Sequence, residues 1–162
     1  MELIGLQWGQ ILALVGAALA GILSGIGSSK GVGLAGQTAA GVATENPEVA
    51  GKLLILQLLP ATQGIYGFLV GVIVLINTGV LAGQMVDVSV TQGLLLVVGC
   101  LPVGVIGWYS AVKQAQVAAS GMLLTGQRPD MSGRAITMTV MVETYAVFAL
   151  LVSFLIVNSV MG

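Results

Sequence analysis

The chain has 162 residues, of which 57% are hydrophobic and 7% charged, a composition far too apolar for a water-soluble domain of this size. It is read as an integral membrane protein. Five basic against six acidic side chains leave no basic patch to neutralise a phosphate backbone, which excludes nucleic-acid binding. One cysteine, Cys100, and no histidine exclude disulfide frameworks, zinc sites and histidine acid–base chemistry. The opening Met-Glu-Leu-Ile lacks the positive leader of a secretory signal, so the first apolar stretch is expected to belong to the mature protein.

Residues 3–29, 53–86 and 88–112 carry no charge, and residues 135–162 carry only Glu143. Each stretch exceeds the roughly 20 apolar residues that cross a bilayer, and none alternates as a barrel strand would. An all-α membrane protein with four transmembrane helices is predicted. The first connection, Thr44-Glu45-Asn46-Pro47-Glu48, offers a cap, a proline at the first helical position and an acidic first turn. A second lies around residues 83–89, with Asp87 or Ser89 as the candidate cap. The third, Gly126-Gln127-Arg128-Pro129-Asp130, supplies a helix-ending glycine and a similar restart.

Lys30, Lys52, Lys113, Arg128 and Arg134 all lie in the helix halves adjoining the first and third connections. The positive-inside rule therefore places connections 44–48 and 126–130 in the cytoplasm and both termini outside. Asn46-Pro47-Glu48 parallels Arg128-Pro129-Asp130 at an offset of 82, and Gln63 to Phe68 parallels Glu143 to Phe148 at an offset of 80. The chain is thus read as a duplicated helical hairpin, 1–83 and 84–162. Small residues at spacings of three and four, Ala17, Gly21, Gly25, Gly27 and Gly31 on helix one and Gly104, Gly107, Ala111, Ala115 and Ala119 on helix three, predict close packing of those helices. The run Gly31-Val32-Gly33-Leu34-Ala35-Gly36 superficially matches a dinucleotide fingerprint, but no strand precedes it.

An acidic side chain inside a bilayer costs about 3 kcal/mol or more and marks a transport site, which singles out Glu143. At about 1.5 Å per helical residue, Glu143 lies roughly 14 Å past Arg134, Gln63 roughly 16 Å past Lys52 and Gln114 roughly 18 Å before Gly126. Three polar groups from three helices are therefore expected at one depth. Leu59, Thr62, Gln63 and Tyr66 share one face beside Pro60, whose missing amide hydrogen should open the ladder near residues 56–59 and free carbonyl oxygens. A carbonyl, a hydroxyl, two amide oxygens and one carboxylate form an oxygen cage for a hard cation, neutral once a monovalent ion is bound. Sodium fits that inventory better than a proton, although the same groups could hydrogen-bond a protonated carboxyl.

Leu58-Leu59-Pro60-Ala61-Thr62-Gln63-Gly64-Ile65-Tyr66-Gly67-Phe68, with Met141-Val142-Glu143-Thr144-Tyr145-Ala146 and Ser24-Gly25-Ile26-Gly27-Ser28-Ser29-Lys30-Gly31-Val32-Gly33, resembles the proteolipid ring subunit of bacterial V-type ATPases, most of all its sodium-transporting members. The resemblance implies a multi-copy rotor ring in the cell membrane, surrounded by lipid and driven by ATP hydrolysis in a separate soluble head. Its implied partners are identical copies, a membrane stator subunit and central stalk subunits. It implies Na+ (alternatively H+) as the transported ion, no organic cofactor and no catalytic site in this chain. The implied ion ligands are the Leu59 carbonyl, Thr62, Gln63, Gln114 and Glu143, with Tyr66 hydrogen-bonding Glu143 and Gln63 standing in the first hairpin where the second has Glu143.

Lys113, next to Gln114, is the residue that fits least. Adjacent helical residues point about 100° apart, so a Gln114 turned inward carries Lys113 away from Glu143. Lys30, at similar depth, is expected to face a ring interior or a lipid headgroup. Another possibility is a small four-helix transporter exchanging protons for a cationic drug; such a pocket calls for aromatic residues, and aromatics are 5% here. A membrane scaffold leaves the convergent polar depth unexplained.

Overall fold

The computed structural model describes residues 2–3 and 6–161. Two short strands, β1 (Glu2–Leu3) and β2 (Leu6–Gln7), pair antiparallel ahead of the first helix, a small departure from the purely helical expectation. Four helices long and apolar enough to cross a membrane follow: α1 (Trp8–Glu45), α2 (Pro47–Asn77), α3 (Val90–Gln127) and α4 (Pro129–Met161). At 38 residues each, α1 and α3 are about 57 Å long, so both outrun a hydrocarbon core of about 30 Å.

The helix ends follow from local chemistry. Pro47 and Pro129 each open a one-turn 3-10 segment, where a missing amide hydrogen costs nothing. Ser89 caps α3: its hydroxyl accepts from the Gln92 amide at 3.2 Å, and the Gln92 side chain accepts from the Ser89 amide at 3.0 Å. Asp87, the other candidate cap, instead accepts from Gln7 Nε2 at 2.8 Å. The second connection is longer than expected, because α2 ends at Asn77 and the chain turns through Gly79 and Gly83, both at positive φ.

α1 and α3 run side by side and share the most extensive interface, with α4 packed on α3 and α2 on α1. The small-residue faces explain the closeness. A Cβ added at Gly27 would fall inside the backbone of Trp108, and one at Gly31 would lie 2.9 Å from the Ala111 carbonyl oxygen and 2.8 Å from Pro60 Cβ. Gly21 and Gly25 behave differently, because nothing lies within 4 Å of a Cβ there. Two buried clusters fill the bundle, one around Ala13, Val70, Leu96 and Val103, the other around Val49, Leu53, Leu56 and Met122.

Hydrogen bonds tie the hairpins together at both ends. Asn46 Nδ2 donates to the Gly126 carbonyl and Lys52 Nζ to the Pro129 carbonyl, each at 3.0 Å, so the first and third connections share one end. At the other end Gln10 Nε2 donates to the Val86 carbonyl at 2.9 Å.

Candidate functional site

Pro60 shapes the site. It breaks α2 into an α segment over Ala50–Leu58, a 3-10 turn over Leu59–Ala61 and a second α segment over Thr62–Asn77. The turn does not leave the Leu59 carbonyl free, as the missing proline hydrogen suggested: tightening to i+3 spacing lets it accept from both the amide of Thr62 and its hydroxyl, the latter at 3.0 Å. Ser28 Oγ on α1 donates to the Pro60 carbonyl at 2.7 Å and braces the break from behind.

One turn further on, Gln63 and Gln114 are both completely buried, and Gln63 Nε2 donates to Gln114 Oε1 at 2.6 Å. Gln114 Nε2 in turn donates to the Thr139 carbonyl on α4 at 3.2 Å, so one amide chain crosses α2, α3 and α4. It ends on Gln63 Oε1, which is buried and has no hydrogen-bond partner among the described residues. An unpartnered amide oxygen of this kind costs about 1–3 kcal/mol. A bound cation is one partner that would satisfy it.

Another turn along α2, the Tyr66 hydroxyl donates to Glu143 Oε1 at 2.5 Å. Glu143 is half-buried, its other side opening on a shallow groove lined by Val140, Thr144, Val147 and Phe148. The predicted residues therefore fall into two groups about one helical turn apart, the Gln63–Gln114 amide pair and the Tyr66–Glu143 pair, with Thr62 and Leu59 joined to each other. Among the described residues no hydrogen bond links Glu143 directly to Thr62, Gln63 or Gln114, and no cluster of three or more acidic, histidine or cysteine residues occurs. Neutral oxygens dominate this site.

The lysines lie apart from the carboxylate. Lys113 is exposed on α3, its Nζ 5.5 Å from the Tyr109 ring centroid and 3.3 Å from Gln116 Oε1. Lys30 is also exposed, 5.6 Å from the centroid of Trp108. The one ion pair among the described residues is Arg128–Asp130 at 3.2 Å, in the third connection.

The duplication holds one register through the site. Helix starts Trp8 and Val90, helix ends Glu45 and Gln127, and turns Pro47–Val49 and Pro129–Met131 all correspond at 82 residues. The Ser28 bond to the Pro60 carbonyl recurs as Ser110 Oγ to the Val142 carbonyl at 3.1 Å, and the Thr62 bond to Leu59 recurs as Thr144 Oγ1 to the Met141 carbonyl at 2.9 Å. At that offset the counterpart of Glu143 is Ala61 and that of Gln63 is Tyr145, which corrects the 80-residue pairing of Gln63 with Glu143. The apparent match of aromatic and small residues had masked the register that the backbone keeps. Ser28, Ser110 and Thr139 are the site neighbours that sequence reasoning missed; the equal spacing of Ser28 and Ser110 was the available signal.

Known proteins resemble this chain over nearly its whole length. The sequence profile of the ATP synthase C-subunit matches twice, over residues 15–74 and 97–156, again 82 apart. The V-type sodium ATPase subunit K of Enterococcus hirae is 43% identical over 149 residues, 92% of each chain. The A-type ATP synthase subunit K of Methanocaldococcus jannaschii is 35% identical over 150 residues, which cover 93% of this chain and 63% of that one.

Proposed function

The chain belongs to the ATP synthase C-subunit family, and from that premise we propose that it is the membrane rotor-ring subunit of a V-type or A-type rotary ATPase, carrying one sodium ion per copy at Glu143. The observation that carries the sodium assignment is the buried, unpartnered Gln63 Oε1 beside the Gln114 amide. Turning the Gln63 amide so that its oxygen meets Gln114 Oε1, and turning the Thr62 hydroxyl on the preceding residue off the Leu59 carbonyl one turn back, with Glu143 supplying the negative charge, makes a neutral sodium complex. A neutral complex crosses the hydrocarbon zone without the cost of an ionised carboxylate. Tyr66 holds the Glu143 carboxyl in place by its hydrogen bond. The name of the Enterococcus hirae relative, a sodium ATPase subunit, supports the same reading.

In this reading the halves 1–83 and 84–162 act as one unit of the ring. Identical copies are its neighbours, a membrane stator subunit loads and unloads Glu143, and central stalk subunits meet the 44–48 and 126–130 connections on the cytoplasmic side, leaving both termini outside. ATP hydrolysis takes place in the soluble head; this chain contributes ion carriage. The alternative, a proton carried by the same carboxyl, draws its support from the Tyr66 hydroxyl, which is as good a partner for a proton carrier as for an ion ligand.

Labelling of Glu143 by a hydrophobic carbodiimide tests the choice, since that reagent attacks the protonated acid. Sodium is expected to slow labelling at fixed pH, and potassium to slow it less. Labelling indifferent to sodium selects the proton.

A further inference from the structure

The 82-residue register exposes an asymmetry between two faces that ought to be copies. On α1, Gly9, Gly16, Gly27 and Gly31 lie against α3: a Cβ added at Gly16 would be 3.1 Å from Val97 Cα, and those at Gly9 and Gly27 would fall inside the backbone of Val88 and Trp108. Their counterparts on α3 are Thr91, Val98, Tyr109 and Lys113, not one of them glycine. Among the described residues that second face has no partner. Val98 is 55% exposed and Tyr109 65%, and Thr91 and Lys113 are exposed as well. Beside it, between α3 and α4, runs a groove of about 280 Å³ lined by Ile106, Tyr109, Ser110, Lys113, Val142 and Tyr145.

The same register says what would enter the groove. Within the chain, a Cβ at Gly107 would lie 3.2 Å from Ser24 Cβ and 3.8 Å from Gln63 Cβ. Shifted by one half-chain, this becomes Gly25 facing Ile106 and Tyr145, and Gly25 is one of the glycines with nothing within 4 Å. Trp108 on Gly27 likewise becomes Ile26 on Tyr109, and Ala111 on Gly31 becomes Ser29 on Lys113. Ile26 is 40% exposed, and Ser29 is exposed.

Building on the rotor-ring reading, we propose that the α3–α4 groove receives α1 of the next copy, with Gly25 against Ile106 and Tyr145 and Ile26 against Tyr109, at a wider helix spacing than that between α1 and α3 within a chain. The groove is continuous with an interface that the chain already forms internally, and a second copy presents an apolar helix with open space at Gly25. Helix spacing around the ring then alternates between close and wide. Lys113 occupies the wide seam: where the close interface admits only Gly31, its aliphatic stem fills the added space and its ammonium rests over Tyr109, within reach of the Ser29 hydroxyl of the next copy.

Disulfide trapping in native membranes tests the register. With Cys100→Ala as background, Ile26→Cys combined with Tyr109→Cys should give, on oxidation, a ladder of covalent dimers, trimers and higher species in denaturing gels, and either substitution alone should give none. An assembly of many copies by native mass spectrometry without that ladder overturns the register. A particle of one chain overturns the rotor-ring reading instead. A density map of the unmodified assembly decides the matter even if the cysteine variants fail to insert: α3 should stand further from the next copy's α1 than from its own, and equal spacings overturn the proposal.

Discussion

Gln63 and Gln114 face each other across the α2–α3 contact, amide nitrogen to amide oxygen at 2.6 Å, with the second oxygen of the pair left over. An amide pair that only held helices together would close on itself or on backbone. This one stops one oxygen short, which leaves that oxygen open to a further partner.

Glu143→Gln should abolish ion transport and transport-coupled ATP hydrolysis while the ring still assembles. The amide keeps the shape and can still accept from Tyr66, but it cannot neutralise a cation. Normal pumping by this variant, measured as sodium uptake into vesicles, would remove Glu143 as the carrier.

Thr62→Val and Gln63→Leu should each weaken sodium protection against carbodiimide by roughly tenfold, about 1.4 kcal/mol per neutral oxygen removed, with Glu143 still able to react. An unchanged sodium midpoint in both variants would place the ion elsewhere.

Tyr66→Phe should raise the sodium midpoint by about tenfold or more, the loss of one hydrogen bond to a charged group being about 1.5–3 kcal/mol. Ring yield should be unchanged, since Tyr66 is only partly buried. The check is the sodium titration of labelling in purified rings of equal mass.

Protons and sodium compete for one carboxylate, so the sodium concentration giving half protection should rise as pH falls, approaching a tenfold rise per pH unit once the carboxyl is mostly protonated. A midpoint independent of pH would show that sodium protects from a different position.

Gly27→Leu and Gly25→Leu should fail at different stages. Gly27 lies against the backbone of Trp108 in the same chain, so its variant should lower the yield of inserted, protease-resistant protein. Gly25 has open space, so its variant should insert normally and fail to form rings. Native mass spectrometry and protease resistance together separate the two.

Much of this architecture was legible because membrane burial is written in the absence of charge. The four spans follow from uncharged runs, the hairpin turns from Asn46-Pro47 and Arg128-Pro129, and the placing of Gln63, Gln114 and Glu143 within about one turn of each other from counting residues at a constant rise. Four things were hidden. Whether the Leu59 carbonyl is free depends on how the backbone heals around Pro60, and that is decided by the Thr62 amide and hydroxyl three residues away. The acceptor for Gln114 Nε2 is the Thr139 carbonyl, and backbone acceptors leave no trace in side-chain patterns. The register of the repeat was blurred near Glu143 because Ala61, its counterpart, is chemically silent, while Gln63 two residues later looks like a substitute. A single stripe of small residues on α1 also concealed that Gly27 and Gly31 pack inside the chain whereas Gly21 and Gly25 do not.

The hydrogen bonds at the two ends of the bundle oppose sliding of one hairpin along the other. Sliding one hairpin past the other by a single residue, about 1.5 Å, would part Asn46 from Gly126 and Lys52 from Pro129 at one end and Gln10 from Val86 at the other. The alignment of Gln63 with Gln114 is thus held by clasps, one of them roughly 25 Å away along α2. A shear between the hairpins would have to break bonds at both ends of the bundle before it could draw Gln63 away from Gln114.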